Sequence, residues 1–348
     1  MTHFVELIAL TAGSCLAVLF LIPPLRRLAL SRGITDQPGP RKLHTGPTPY
    51  LGGVALVVTA VLAAAFLQGR SAEMASVLAG ALLVGVVGLV DDVRTLGPAV
   101  RLVVEAGAAL AAAAGGARVH LLGGPADWLL TVGWLVVITN AFNLLDNMDG
   151  AAGAIAATTA GALTVMAALQ GQWLLAGLAA AMVGSCLGFL RYNWHPARIF
   201  MGDAGSLFLG YLLAVIALKL QFNVDHGGSI LAILLFTAPA VFDTTLVVTA
   251  RLREGRPIYL GATDHSAHRL LRLGMSPEQV VAMLTLVCGA CSLLGILVGR
   301  GRLAPMPIML LVSACAVVVW AWMLRLPSNG AMEPLMSPPR LRPGEEGA

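Results

Sequence analysis

Long apolar stretches recur along almost the whole chain and are separated by short polar segments. A helix that crosses a lipid bilayer needs about 20 mostly apolar residues, and it tolerates interruption by glycine or proline. On this template the sequence predicts eleven spans, at 4–22, 50–67, 74–92, 98–115, 127–143, 150–169, 173–191, 205–221, 229–250, 278–299 and 305–324. The pattern therefore predicts an all-α, polytopic integral membrane protein. We expect residues 1–326 to form one transmembrane domain and residues 327–348, rich in Pro, Gly and Glu, to form a disordered cytoplasmic tail.

Composition supports the membrane prediction. Hydrophobic residues make up 57% and charged residues 11% of the 348 positions, and the mean hydropathy is +0.83. Ordinary soluble proteins carry about 25% charged residues, and disordered chains combine low hydrophobicity with high charge. Both classes are therefore excluded. The five cysteines all fall in apolar segments, where we expect them to pack as small hydrophobic residues.

The basic residues are distributed unevenly between the two sides of the predicted bundle. If the spans alternate in direction, 17 of the 22 Lys and Arg residues fall on the side that follows the odd-numbered spans. Cytoplasmic loops carry an excess of Lys and Arg. The asymmetry therefore predicts that this side is cytoplasmic and that the N-terminus lies outside. It also accounts for the net charge of +4 without a nucleic-acid partner.

Polar segments with candidate chemistry lie on this basic side. Residues 35–53 contain prolines and glycines that fix an irregular backbone, and Arg41, Lys42 and His44 supply cations there. A solvated loop that anchors two helices is the alternative interpretation. The third span ends in two adjacent carboxylates, Asp91 and Asp92. An aspartate at the centre of a membrane helix costs roughly 2.5–3.5 kcal/mol even on a lenient scale, so a divalent metal or a basic partner is expected there, unless the pair is a solvated helix boundary.

Amides and carboxylates recur at the end of the fifth span. Asn140, Asn143 and Asp146 are three residues apart, so on a helical turn they share one face, and Asp149 extends the row. Carboxylate and amide oxygens together suit a hard cation such as Mg²⁺. Capping of a helix end by Asn and Asp is the alternative. One such residue would be enough for capping, so the row favours a metal site.

Two later segments on the same side add an acid and several cations. Asp203 lies among glycines at the start of a span, where its carboxylate or a ligand phosphate would meet exposed N–H groups. His265, His268 and Arg269 follow three other arginines, a set that suits an anion such as phosphate. The alternatives are a plain helix cap and a solvated basic loop.

Arg101, Glu105 and Asp243 lie inside predicted spans, away from these motifs. Arg101 and Glu105 are four residues apart and can pair on one helix face. We interpret this pair and Asp243 as structural.

A functional interpretation of the polar segments is favoured over the structural alternatives because all of these segments fall on one face of the membrane. They combine carboxylates for a metal, basic groups for phosphates, and a bilayer for an apolar substrate. That combination predicts Mg²⁺-dependent phosphoryl-type transfer at the membrane surface.

These motifs, in this order, resemble the polyprenyl-phosphate N-acetylhexosamine-1-phosphate transferases, a branch of glycosyltransferase family 4. The resemblance covers residues 20–275 and rests on Asp-x-Pro-x-x-Arg-Lys-x-His, the Asp-Asp pair, Asn-x-x-Asn-x-x-Asp-x-x-Asp-Gly, Pro-Ala-x-x-Phe-Met-Gly-Asp-x-Gly-Ser and the late His-x-x-His-Arg-Leu segment. It implies a transferase in a bacterial-type plasma membrane with its active site at the cytoplasmic face. The implied substrates are UDP-N-acetylglucosamine and a polyprenyl phosphate, and the implied cofactor is Mg²⁺, with Mn²⁺ as a substitute. A homodimer is compatible with the family.

The resemblance also implies roles for individual residues. Asp203 and Asn143 resemble the metal ligands. The remaining site residues fall into a catalytic group and a substrate-binding group. The first contains Asp91, Asp92, Asp146, Asp149, His265 and His268; the second contains Arg41, Lys42, His44, Asn140, Asn193, Phe200 and Arg269. Within these groups Phe200 resembles the ring that stacks on uracil, and Asn193 a nucleotide contact.

The sequence departs from many relatives at two motifs, which bears on the sugar. Asn147 stands where many relatives carry glycine, and the late segment lacks the triple histidine of the muramoyl-pentapeptide branch. UDP-N-acetylglucosamine is therefore expected as the donor, with other UDP-N-acetylhexosamines and UDP-N-acetylmuramoyl-pentapeptide as alternatives. A membrane transporter and a non-catalytic scaffold are the alternatives of a different class. A transporter would place its charges near the midplane in paired repeats, whereas here they cluster at one face.

Overall fold

The computed structural model describes residues 2–37, 46–67, 72–259 and 263–326. Within these ranges the chain is almost entirely helical. The elements are α1 (Thr2–Arg32), β1 (Thr35–Asp36), β2 (Thr48–Pro49), α2 (Gly52–Phe66), α3 (Ala72–Val93), α4 (Pro98–Ala114), α5 (Gly124–Leu145), α6 (Ala151–Leu169), α7 (Trp173–Asn193), α8 (Gly202–Lys219), α9 (His226–Phe236), α10 (Ala238–Arg253), α11 (Ser266–Arg272), α12 (Pro277–Gly299) and α13 (Pro305–Met323). The strands form one short antiparallel pair.

The prediction of an all-α, polytopic membrane protein is confirmed. Eight of the described helices are long and apolar enough to cross a bilayer, and α9 with α10 forms a ninth span if the bent pair is counted as one. Each of the eleven predicted spans coincides with a helix or with this pair, but α2 and α4 have only 15 and 17 residues. The count of eleven and the outside N-terminus therefore stay predictions. The predicted tail, 327–348, lies outside the described residues.

Two elements differ from the spans predicted by hydropathy. The first span was expected to end at residue 22, yet α1 continues through Pro23 and Pro24 to Arg32. The predicted span 229–250 is broken at Thr237 into two helices that meet at 72°. Pro239 lies in the first turn of α10, where its missing N–H costs no helical hydrogen bond.

Helix α8 lies at the centre of the bundle and packs against α2, α3 and α5. All but three of its eighteen residues are buried. The close approach of α8 to α3 and α2 depends on glycines. A Cβ at Gly88 of α3 would collide with the Asp203 backbone, and a Cβ at Gly53 of α2 would collide with Gly205. The first turn of α8 is therefore held tightly against the last turn of α3.

Candidate functional site

Asp92 binds the first turn of α8. Its Oδ1 accepts the Asp203 N–H at 2.8 Å, and its Oδ2 accepts the Ala204 N–H at 3.1 Å. These are two of the N–H groups that a helix leaves without an intrahelical partner, and a carboxylate there is also favoured by the helix dipole. Gly202 precedes them with φ +70°, and any side chain at this position would meet the Asp92 carboxylate. Asp92, predicted as catalytic, thus joins α3 to α8.

Asp91 and Asp203 converge on one cationic nitrogen. Arg101 Nη1 of α4 lies 2.7 Å from Asp91 Oδ2 and also donates to Asp203 Oδ2. Asp91 Oδ1 in addition accepts the Leu96 N–H. Both carboxylates are largely buried, with side-chain exposures of 10% for Asp91 and 27% for Asp203. Two acids 112 residues apart in the chain therefore meet at a point suited to a positive charge.

Asn143 lies next to this pair and Asn140 does not. The Asn143 amide donates to Asp203 Oδ1 at 2.7 Å and to Ser206 Oγ at 2.9 Å. Asn140, one turn earlier on α5, donates instead to Glu105 Oε2 and to a carbonyl of its own helix. The interpretation of Arg101 and Glu105 as a purely structural pair is therefore wrong, because Arg101 bonds the acids of the site while Glu105 bonds Asn140.

Asp146 ends α5 beside the same acids. Burial, together with the negative charges of Asp203, Asp92 and Asp149, raises its pKa to about 8. A bound cation would favour its ionised form. Asp149, also predicted as catalytic, is held on the next segment: its Oδ2 accepts the Ala197 N–H at 2.9 Å and lies 2.8 Å from His195 Nδ1.

Asn193 connects two loops rather than facing open space. Its Oδ1 accepts the Gly150 N–H at 2.9 Å, its Nδ2 donates to the Ile199 carbonyl at 3.0 Å, and the side chain is buried. Gly150 has φ +76°, a conformation that favours glycine. These contacts describe a structural role and do not support the predicted nucleotide contact.

An aromatic pair borders the acidic cluster. The rings of Phe200 and Tyr50 lie 6.1 Å apart at 51°, and the Phe200 N–H donates to the Pro49 carbonyl at 2.8 Å. Burial raises the pKa of Tyr50 well above its ordinary value, and the nearby carboxylate of Asp36 raises it further. The predicted uracil contact of Phe200 stays a prediction. Tyr50 was missed because a single tyrosine in a polar loop gives no signal in the sequence.

The late segment forms a buried network around the start of α11. Asp243 Oδ2 lies 2.8 Å from His265 Nδ1, and Asp243 Oδ1 accepts both the Ser266 N–H and its hydroxyl. Asp264 accepts two hydrogen bonds from the Arg251 guanidinium, at 2.9 and 3.1 Å. Burial alone would raise the pKa of Asp264, but the bonds and charge of Arg251 outweigh it and lower that pKa. The contact between Asp243 and His265 Nδ1 therefore fixes the position of the His265 ring, while Asp264 pairs with Arg251.

The last two predicted residues of this segment are buried. Burial, together with the charges of His265 and Arg272, lowers the pKa of His268 to about 4. Arg269 Nη1 donates to the carbonyls of Met323 and Leu326 at 2.6 and 2.8 Å, at the end of α13. These contacts describe a structural role for Arg269 and do not support its predicted role in binding substrate.

The donor chemistry fits a divalent cation at the Asp91–Asp203 junction. Within the described ranges, no three His, Cys, Asp or Glu side chains already form a metal-binding group. Mg²⁺, however, is commonly bound through one or two carboxylates, with waters and substrate phosphates completing its shell. Two carboxylate oxygens that already flank a cationic nitrogen meet that requirement. Arg41, Lys42 and His44 lie outside the described residues.

The fold and site define a multi-pass membrane enzyme with an acidic centre at one end of its bundle, and comparison with known proteins agrees. Residues 74–221 match the family described as glycosyl transferase family 4. The chain is 34% identical over 287 residues to the probable undecaprenyl-phosphate N-acetylglucosaminyl 1-phosphate transferase of Bacillus subtilis (strain 168), covering 79% of this chain and 80% of that protein. The chain belongs to glycosyl transferase family 4, and it is a sugar-phosphate transferase of the bacterial plasma membrane.

Other relatives carry two different names. The decaprenyl-phosphate N-acetylglucosaminephosphotransferase of Mycobacterium tuberculosis (strain ATCC 25618 / H37Rv) is 31% identical over 325 residues, covering 81% of this chain and 80% of that protein. The phospho-N-acetylmuramoyl-pentapeptide-transferase of Symbiobacterium thermophilum (strain DSM 24528 / JCM 14929 / IAM 14863 / T) is 33% identical over 313 residues, covering 81% and 91%. None of these names supports the transporter alternative.

Proposed function

We propose that the protein transfers N-acetylglucosamine-1-phosphate from UDP-N-acetylglucosamine to a membrane polyprenyl phosphate, in a Mg²⁺-dependent reaction. An oxygen of the lipid phosphate attacks the β-phosphorus of the nucleotide sugar. The bond from that phosphorus to the bridging oxygen breaks, and the electron pair leaves with UMP. The products are polyprenyl-diphospho-N-acetylglucosamine and UMP.

The convergence of Asp91 and Asp203 on one point carries this proposal. Phosphoryl transfer is catalysed mainly by positioning and by neutralising charge. Asp203 and Asn143, with Asp91 beside them, would hold the metal ion, which when bound would supply positive charge to the diphosphate. The names of the relatives support the sugar and the lipid, since two of them are named for N-acetylglucosamine phosphate transfer.

The remaining residues of the site bind and orient in this scheme. A lipid monophosphate has a second pKa of about 6 and is largely ionised at neutral pH, so Asp91 acts more through positioning than as a base. Phe200, bordered by Tyr50, offers a ring face to the uracil. His265, held through Nδ1 by Asp243, contacts the diphosphate.

The proposed orientation of the protein in the membrane follows from the charge asymmetry of its loops. With the N-terminus outside, the acidic end of α3 and the start of α8 face the cytoplasm, where nucleotide sugars are available. The polyprenyl chain stays in the bilayer, and its phosphate lies at the height of the site. The product would then feed the assembly of a cell-envelope glycan.

Release of UMP by the purified protein tests the proposal. The assay contains polyprenyl phosphate, UDP-N-acetylglucosamine and Mg²⁺, with EDTA and Asp203→Asn as inactivating conditions and Glu6→Gln as a matched control. Glu6 is exposed near the start of α1, far along the chain from the acidic cluster. We expect lipid- and metal-dependent release that Asp203→Asn abolishes and Glu6→Gln preserves. No release from folded protein with any UDP-N-acetylhexosamine would overturn the proposal.

UDP-N-acetylmuramoyl-pentapeptide is the second candidate donor, favoured by the relative named for that substrate. The same assay with this donor separates the two. We expect release with UDP-N-acetylglucosamine to exceed release with the muramoyl donor, and the reverse order would assign the protein to peptidoglycan precursors.

A further inference from the structure

The guanidinium of Arg101 has one nitrogen that donates hydrogen bonds and another that is buried without a hydrogen-bond partner. Its Nη1 donates to Asp91 and Asp203, whereas its Nε is buried and makes no hydrogen bond. One turn further along α4, Glu105 has a buried oxygen that lacks a hydrogen-bond donor. Its Oε2 accepts from Asn140, and its Oε1 is buried with no hydrogen bond. Among the described residues, the Arg101 Nε donor and the Glu105 Oε1 acceptor are thus both buried without a hydrogen-bond partner.

The spacing allows these two groups to pair. Residues four apart on a helix are neighbours on its surface, with Cβ atoms about 5–6 Å apart, and the two charges already influence each other electrostatically. A buried donor or acceptor left without a partner is destabilising. A second position of the Arg101 side chain, turned along α4 toward Glu105, would satisfy both atoms.

A metal ion gives a reason for that second position. The point between Asp91 and Asp203 now holds a guanidinium, and a divalent cation bound to the same oxygens would repel it. The cation can bind there only if Arg101 moves. Glu105 is a carboxylate within one turn that could receive it.

We propose that Arg101 is a positioning residue with two partners, the Asp91–Asp203 pair before the metal binds and Glu105 afterwards. This inference rests on the proposed metal dependence of the reaction. In the first position the guanidinium neutralises the two acids and keeps α3 and α8 together without metal. In the second position the acids are free to bind the cation, and the arginine remains neutralised beside them.

The inference predicts opposite effects for the two residues of α4. Arg101→Gln removes the competing cation, so it should tighten Mn²⁺ binding about tenfold and lower the melting temperature of metal-free protein. Glu105→Gln removes the second partner, so it should weaken Mn²⁺ binding about tenfold. Arg94→Gln is the control, since Arg94 is exposed at the end of α3. If Arg101→Gln does not fold, Arg101→Met replaces it in the same measurements, because it also removes the charge and keeps a long unbranched side chain.

A double-mutant cycle distinguishes this exchange from simple electrostatics. Mn²⁺ affinity is measured by electron paramagnetic resonance of the free ion, with wild type, both single variants and Arg101→Gln/Glu105→Gln in detergent. If Glu105 acts by receiving Arg101, its substitution should change the affinity in the wild-type background and have almost no effect once Arg101 is gone. Equal effects in both backgrounds would overturn the inference.

The same samples separate failure of this inference from failure of the proposed function. Additive affinities in a protein that still releases UMP with Mg²⁺ would remove the exchange and leave the reaction in place. A coupled cycle in a protein that releases no UMP would keep the exchange and remove the reaction. Wild type that binds no Mn²⁺ would overturn the exchange, and if it also releases no UMP with Mg²⁺, both proposals fall.

Discussion

Asp92 and Asp203 are joined through the backbone: the carboxylate of the first accepts the N–H of the second at 2.8 Å. The bond places the last turn of α3 against the first turn of α8 and orients the Asp203 carboxylate toward Asp91. The two adjacent acids therefore have different contacts: Asp91 pairs with Arg101, whereas Asp92 holds the helix that carries Asp203. Four predictions follow from this and neighbouring arrangements.

Replacing Asp92 should destabilise the protein more than replacing Asp91. Asp92→Asn keeps one oxygen acceptor but loses the charge at a helix N-terminus, an interaction worth about 1–2 kcal/mol in a partly buried site. We expect a lower melting temperature for Asp92→Asn and a smaller change for Asp91→Asn, measured by thermal unfolding in detergent. Equal melting temperatures in the two variants would contradict the division of roles.

Enlarging Gly88 should inactivate the enzyme by displacing Asp203. The Cβ of Gly88→Ala would collide with the Asp203 backbone, whereas a Cβ at Gly107 has open space around it. Displacement of a catalytic geometry by about 1 Å can cost about 100-fold in rate. Gly88→Ala should therefore show a rate of UMP release reduced by that order, and Gly107→Ala should remain close to wild type.

The buried His268 should make stability depend on pH. Its pKa is lowered to about 4 in the folded protein, compared with about 6.5 in an unfolded chain. Below pH 6.5 the unfolded state binds a proton that the folded state does not, so this contribution to stability falls as the pH falls toward 4. Between pH 7 and pH 5 the loss is on the order of 2 kcal/mol.

The comparison with His268→Asn isolates this contribution. Thermal unfolding of both proteins is measured at pH 7 and pH 5, and the wild type should lose more stability than the variant. An equal loss would mean that His268 takes up its proton in the folded state as readily as in the unfolded state.

Arg269 should be needed for folding rather than for binding substrate. Its removal leaves the carbonyls of Met323 and Leu326 without a charged donor, at a cost on the order of 2–3 kcal/mol. Arg269→Gln should lower the melting temperature and leave the KM for UDP-N-acetylglucosamine nearly unchanged, with the exposed Arg325→Gln as control. A raised KM at an unchanged melting temperature would restore the role expected from the motif.

Hydropathy predicted the helices well because burial in a bilayer and burial in a helix bundle both demand long apolar runs. It failed where local backbone chemistry decides. The break at Thr237 and the run of α1 beyond Pro24 depend on where a proline falls within a turn, which a count of apolar residues does not record. The seven-residue α11 was not predicted for a related reason: it lies in a polar segment and is too short for a periodic pattern.

The acids of the site were predictable and their partners were not. Carboxylates near a membrane draw attention because they are costly there, so Asp91, Asp203 and Asp146 could be singled out. Arg101 was misassigned because Glu105, four residues away, offered a sufficient local explanation. Of its two hydrogen-bonded acids, Asp91 belongs to another helix and Asp203 lies 102 residues further along the chain. The contacts of Asn193 could not be predicted either, since they join two loops that only the fold brings together.

The enclosure of α8 has a consequence for how the enzyme responds to its surroundings. Nearly every side chain of this helix contacts protein, while α13 buries only Met323 along its length. Changes in acyl-chain length, bilayer thickness or lateral pressure therefore act first on peripheral helices such as α13. The carboxylate of Asp203 is carried by the most buried of the described membrane-spanning helices, so we expect the chemistry to be less sensitive to the composition of the membrane than the peripheral helices are.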